Sequence, residues 1–389
     1  AHYVKQAGGD ENSELVKACR DGYYYEPSVA ERIFESFLAE QPGITVLKNH
    51  RFERAITNDG RVAGVEIVDR KSGEAKKVRG RVTIDATYEG DVYASAGADF
   101  RIGRESREDF GEPHAGEISL DWRHRSGAGS TGSGEGDRRL QTYSYRLCLT
   151  KDPMNAAPLT APPADYDRTR YLGYLEDFRS GRFGTRSVTQ ICFSIASIPN
   201  AKTDVNMNPR GLGFVFVGEN VGYIDADWKE RERIATHLRN LTLGMLWFLQ
   251  NDEEVPADAK ESARAHQLCR DEFADNGHFP PQLYVREGRR LIGEYTLTEH
   301  DITKAPGRTE PTKHPDAIAV GEFPIDSFPV QKRRPQDTTV LEGYLCMLAD
   351  ITRPYHIPYR IMVPQKLNGL LAPVAASTTH VAFSSIRME

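Results

Sequence analysis

The alternation of apolar and polar positions predicts most of the elements directly. After a polar stretch over residues 1–26, Val29, Ala30, Ile33, Phe34, Phe37 and Leu38 recur at helical spacing and make one apolar face. Pro27 suits the first helical position, and Pro42-Gly43 ends the element. Ile44 to Leu47 reads as a strand. Period-two alternation then predicts an antiparallel meander with strands near 51–57, 61–69 and 75–79. Its turns fall at Asn58-Asp59-Gly60 and Lys71-Ser72-Gly73. Arg81 to Thr87 reads as a buried strand that opens into a loop. Helix, strand, meander, strand is the order of a parallel α/β sheet carrying an antiparallel insertion.

The middle of the chain is less regular. Residues 100–225 carry many Gly and Pro, and Ser126 to Gly136 reads as a Gly/Ser-rich surface loop. Ile234, Leu238, Leu241, Met245 and Phe248 step by four and three, which predicts a long helix over 229–250. A second helix is predicted from about 257 to 274, ending near Gly277. Residues 283–345 read as mixed strand and loop. Two strand-like runs follow, Ile357 to Val363 and Leu370 to Ala375, and then Ser377-Thr378-Thr379-His380.

Composition narrows the class. A 39% hydrophobic, 9% aromatic chain is not disordered, and 389 residues allow two or three domains. No stretch of about 18 apolar residues predicts a membrane span. With 50 basic against 56 acidic side chains and a net charge of −6, a dedicated nucleic-acid binder is not expected. Cys19, Cys148, Cys192, Cys269 and Cys346 are scattered and never in CxxC spacing, so buried reduced thiols are expected rather than a disulfide framework or a zinc site. No signal-peptide pattern opens the chain, and localisation stays unassigned.

Gly127-Ala128-Gly129-Ser130-Thr131-Gly132 spells the GxGxxG dinucleotide fingerprint. That motif needs a strand before it and a helix after it, so that helix N–H groups face the pyrophosphate. Asp121-Trp122-Arg123-His124-Arg125 and Ser133-Gly134-Glu135-Gly136-Asp137 supply neither, and the stretch is read as a loop. GxSxG, HExxH and P-loop signatures are absent.

Ile84-Asp85-Ala86-Thr87-Tyr88-Glu89-Gly90-Asp91, then Gly103-Arg104-Glu105, Tyr284 to Tyr295, Ile357-Pro358-Tyr359-Arg360 and Ser377-Thr378-Thr379-His380-Val381-Ala382 follow one another in a recognisable order. Together they resemble the FAD-dependent oxidoreductase family, in the branch of two-dinucleotide-fold flavoproteins often labelled xanthan lyases. The resemblance implies a FAD-binding Rossmann-like parallel sheet with a meander, plus a mixed α+β substrate domain. It also implies FAD as cofactor and a small-molecule substrate. The N-terminal strand, glycine-rich turn and helix of that family, and its last glycine-containing helix, have no counterpart here. The chain is therefore expected to be truncated at both ends and, alone, to bind FAD weakly or not at all. Tyr88 stands where the family usually has Gly, and Phe328 where it often has His.

The resemblance also assigns roles. Ala86, Thr87, Gly90 and Asp91, small residues where a strand opens into a loop, would let the cofactor approach the backbone. Phe52 would offer a backbone group to the adenine. Arg286, Glu287, Arg289 and Arg290 read on their own as a solvated charged face. The resemblance adds a second reading, in which Arg286 and Arg289 bind near the flavin and an arginine meets an anionic substrate group. Tyr359 and Arg360 share that ambiguity. His380 is either a hydrogen-bonded core histidine or the base that takes a substrate hydroxyl proton while hydride leaves, with His356 a weaker candidate. Residues 1–110 and 355–389 would form the flavin domain and 111–354 the substrate domain. The expected activity is hydride transfer between flavin and a substrate, a carbohydrate or polyol. A flavin-free polysaccharide lyase and a non-catalytic fragment are the alternatives.

Overall fold

The computed structural model describes residues 1–120, 130–181, 183–184, 186–304, 309–332 and 341–387. Ser126 to Gly129, the start of the loop expected over 126–136 and with it Gly127, Ala128 and Gly129 of the glycine motif, lie outside them. The chain is a mixed α/β protein of several small sheets, and it divides into two compact units. The first comprises residues 1–46, 143–216 and 228–284, and the second residues 47–142, 217–227 and 285–389. This division runs differently from the expected one. Residues 1–46 belong with the middle of the chain because Glu26 and Ser28 bond to Lys202 and Glu272. Residues 285–354 belong with the C-terminal segment because Arg290 and Leu297 bond to Thr378 and Ser377.

The first unit is built on an antiparallel sheet in the order Ala156–Ala157, Gln267–Cys269, Leu147–Thr150, Lys202–Met207, Phe193–Ile198. The predicted long helix is present as Trp228–Asn251 and buries Ile234, Leu238, Leu241, Met245 and Phe248 as its spacing requires. Tyr171 stacks on Phe248 at 5.6 Å and donates to Leu241 O at 3.1 Å. The helix expected over 257–274 stops at Arg264, and Gln267–Cys269 becomes a strand instead. Pairing with Leu149 and Ala157 decides that segment, which local propensity does not. The helix Pro27–Ala39 forms with Pro27 in its first turn. Of its apolar face only Val29 is buried; Phe34 is 65% and Phe37 57% exposed. Ile44 to Leu47 is irregular rather than a strand.

In the second unit the meander forms as His50–Asn58, Arg61–Asp69 and Ala75–Arg79. Its tight turn places Asp59 and Gly60 at positive φ, as an Asp-Gly hairpin demands. The strand expected over 81–87 is reduced to Thr83–Ile84, which pairs in parallel with Leu370–Leu371. Among the described residues the other parallel pairings are isolated bridges, Arg61 with Asn368 and Leu297 with Thr378, and a wider Rossmann sheet is not what they display. The run 357–363 becomes the strand Tyr355–Pro358 followed by a 3₁₀ turn, Tyr359–Met362. Two apolar clusters hold the unit. One gathers Val62, Val92, Tyr93, Leu291, Leu370 and Ala375, the other Ile118, Leu297, Ile325, Leu348, Ile361 and Val381. Among the described residues no helix is long and apolar enough to cross a membrane.

Candidate functional site

The loop after Thr83–Ile84 is shaped by one buried carboxylate. Asp85, fully buried, accepts from Thr87 N–H (3.0 Å) and Thr87 Oγ1 (2.7 Å), and from the N–H groups of Val92 and Tyr93 (both 3.0 Å). Burial pushes its carboxyl up, and these donors pull against that rise. Thr87 Oγ1 in turn accepts Asp91 N–H at 3.0 Å. The Thr87 hydroxyl is thus engaged inside the loop. Ala86 and Tyr88 are exposed at its surface. Gly90 has φ +70°, and a Cβ there would run into the Tyr93 ring, so the turn into the helix Asp91–Ser95 admits little else.

Residues 286–290 lie close against this loop, since a Cβ on Gly288 would meet Tyr88 O at 2.5 Å. They are not a solvated face. Arg286 is 1% exposed, donates to Thr142 O at 2.8 Å and lies 3.6 Å over the Phe328 ring. Phe328 thereby has a packing role of its own. Arg289 donates to Glu89 O (3.1 Å), Asp91 Oδ1 (2.9 Å) and Ile224 O (2.6 Å), so it braces the 85–93 loop. Arg290, fully buried, donates to both Glu105 oxygens (2.9 and 3.0 Å), to Thr378 O (3.2 Å) and to Gly103 O. Its Nε lies 3.1 Å from Glu287 Oε1.

His380 joins the same network. Thr379 caps its helix, His380–Ile386. The His380 N–H donates to Glu105 Oε2 at 2.8 Å, and its Nδ1 lies 2.9 Å from Glu287 Oε1. Burial alone would raise the Glu105 carboxyl; the Arg290 charge and the His380 N–H hold it below the usual range instead. Arg290 is likewise held up by Glu105 and Glu287 against the cost of burial. Behind His380 sits Glu112, fully buried, whose Oε1 accepts Glu299 N–H and Thr379 Oγ1, both at 2.6 Å. Burial, only partly offset by those donors, pushes its carboxyl up to about 7.

The other expected site residues lie elsewhere in the unit. Phe52 is half-buried against the cluster of Val92, Tyr93 and Leu291. Tyr359 is 42% exposed. Arg360 is paired with Asp316 at 3.0 Å and lies 5.1 Å from the Tyr295 ring centre. His356 Nδ1 accepts His314 N–H at 3.1 Å. The structure therefore unites Ala86, Thr87, Gly90, Asp91 and Arg289 in one loop assembly, and His380 with Glu287 and Arg290 in a buried network. Tyr359 and Arg360 bond outside both. Glu105, Glu112 and Glu299 were not anticipated as site residues. Glu105 stands in the Gly103-Arg104-Glu105 block, but its role and those of Glu112 and Glu299 depend on partners far away in the chain.

Fold and site together define a mixed α/β protein with a parallel strand pair, a rigid small-residue loop at its carboxyl end and a buried ionisable network. A family model of FAD dependent oxidoreductases matches residues 2–389, and the chain belongs to that family. It is accordingly an oxidoreductase, with FAD as its cofactor. That assignment favours the oxidoreductase over the lyase and the non-catalytic readings. No curated protein and no solved structure matches the chain. The second unit fits a flat, partly apolar cofactor on one observation. Ile84 (61% exposed) and Tyr88 (49%) stand uncovered at the carboxyl end of a parallel strand, where ligands of α/β folds bind.

Proposed function

We propose that the protein oxidises an organic alcohol of the carbohydrate or polyol kind, with His380 as the base that takes the hydroxyl proton. When bound, FAD supplies the acceptor for the hydride. Ala86, Thr87, Gly90 and Asp91 would hold it through backbone groups, with Phe52 at the meander. Arg286 and Arg289 act by fixing the polypeptide around that loop. Tyr359 and Arg360 are assigned to substrate binding. All of these residues lie in the second unit, which is the flavin-binding one in this reading.

The observation that carries the proposal is the 2.9 Å approach of His380 Nδ1 to Glu287. In the tautomer that donates from Nδ1 to this carboxylate, the neutral ring offers the Nε2 lone pair as its acceptor. Arg290 lies between Glu287 and Glu105, 3.1 Å from the one and 2.9 Å from the other. Glu105 also holds the His380 backbone, which restricts the ring's approach. A base oriented on two sides loses little entropy in reaching its proton.

The test is spectroscopic. The protein is loaded with excess FAD under anaerobic conditions and offered a panel of sugars and polyols. Bleaching of the flavin band by at least one alcohol is expected. Bleaching by amines or reduced nicotinamide, with every alcohol inert, would overturn the alcohol reading.

A further inference from the structure

We propose that Cys148 and Cys269 are a disulfide pair, joined when the chain folds in an oxidising medium. The five cysteines carry no sequence spacing that points to a bond, and all five are free thiols in the structure. The sheet of the first unit brings two of them together. Leu147–Thr150 and Gln267–Cys269 are antiparallel neighbours, with Leu268 opposite Leu149 and Gln267 opposite Thr150. The next step of that ladder sets Cys269 opposite Cys148. Their sulfurs are 3.7 Å apart, and Cys269 Sγ donates to Cys148 O at 3.5 Å.

Geometry favours the bond. Residues opposite one another on antiparallel strands have Cα atoms about 4.5–5.5 Å apart, inside the range of about 4.4–6.8 Å that disulfides accept. Closing the sulfurs from 3.7 Å to about 2.05 Å is then a side-chain rotation and needs no backbone shift. The surroundings are apolar, formed by Tyr24, Ile198 and Phe273, so the bond strips no polar group of a strong partner. The other thiols are placed differently. Cys19 Sγ donates to Val16 O, Cys346 Sγ accepts from Tyr344, and Cys192, fully buried, caps the C-terminus of the helix Val188–Ile191.

The chemistry is thiol–disulfide exchange with a small disulfide such as oxidised glutathione. One cysteine thiolate attacks it and releases one reduced glutathione. The second cysteine displaces the other, so two thiols lose two electrons and two protons while one glutathione disulfide becomes two thiols. Contact with Cys269 and burial both raise the Cys148 thiol, so the folded dithiol reacts slowly and the outcome is set while the sheet assembles.

The experiment equilibrates the full chain with glutathione buffers of graded ratio, in mild urea so that the sheet can open. Free thiols are then alkylated in denaturant and the peptides mapped by mass. A peptide pair linking Cys148 to Cys269, two hydrogens lighter than the dithiol, is the expected result. Cys19, Cys192 and Cys346 should be alkylated. The linked protein should melt about 5 °C higher than the reduced one, and dithiothreitol should abolish that difference. Cys269→Ser should show no such shift; if it fails to fold, the wild-type map decides alone. Alkylation of both cysteines at every ratio, oxidised glutathione alone included, overturns the proposal.

Discussion

Lys202 in the first unit and Arg290 in the second are each buried among carboxylates, and the two serve different ends. In the first, the Lys202 ammonium is 2.6 Å from Glu26, 2.7 Å from Glu272 and 2.8 Å from Asp271. These carboxylates come within 4.8 Å of one another, and the ammonium is the cation they hold. Three donors meet three acceptors, and the remaining carboxylate capacity goes to Ser28 and Asn200. That site is closed. It ties residues 26–28 to the sheet. In the second unit Arg290 has a planar fork of five donors. It reaches two carbonyls as well as Glu105 and Glu287, and both carboxylates continue to His380. A point charge closes on itself, while a fork branches and places an imidazole at the end of its branches. The branched site is the one with chemistry to perform.

Removing either cation tests whether both are equally needed for folding. Lys202→Met strands Glu26 and Glu272, and Arg290→Met strands Glu105 and Glu287, all buried. Each should cost about 3–5 kcal/mol in urea unfolding, because an uncompensated buried charge remains. If Arg290→Met costs far less, the second network is not held by its arginine.

The sharper contrast is catalytic. His380→Gln in the FAD-loaded protein should lower the rate of flavin bleaching by alcohol about 10²–10⁴-fold. Lys202→Arg, in the other unit, should leave that rate unchanged wherever the protein folds. Equal losses in both variants would erase the distinction drawn between the sites.

Glu112 separates the two by pH. Its carboxyl stays protonated in the fold up to about pH 7, whereas the unfolded chain releases the proton near 4.5. Unfolding therefore releases a proton between those values, and stability declines as pH rises through that window. The contribution is full below about 4.5 and lost above about 7, on the order of 3 kcal/mol in all. Glu112→Gln should remove that slope, seen as the difference between variant and wild-type urea midpoints across the window. A slope that persists in the variant would place the titration elsewhere.

The smallest effect concerns the surface. Arg360 is paired with Asp316 at a solvated site, so Asp316→Ala should cost less than about 1 kcal/mol, and less still at high salt. A larger loss would show that this pair belongs with the buried networks.

Much of the local structure could be read from the chain. The meander announced itself through alternation and its Asp-Gly turn, and the helix Trp228–Asn251 through its apolar stripe. Both signals are short-range. The segment 267–269 misled, because the same residues can serve as helix or strand until a neighbouring strand claims them. Ile44 to Leu47, apolar and short, found no strand to pair with among the described residues. The candidate site was legible only in pieces. Gly90 and Asp91 stood out as a strand-end turn, and His380 as a titratable group behind three hydroxyl residues. The dense run Arg286 to Arg290 looked solvent-facing, since charge in sequence is usually charge at the surface. It proved buried because carboxylates from far along the chain neutralise it.

The sequence by itself determined the family, the cofactor class and the period of each long element, because motifs and hydrophobic repeats are properties of neighbouring residues. Only the tertiary structure decided that Asp85 ties the loop to its helix, that Arg290 joins Glu105 to Glu287, and that Cys148 faces Cys269. Each of these depends on two distant segments meeting in low-dielectric surroundings. There an unpaired charge or donor is costly, so partners have to be found, and no local pattern of residues says which they will be.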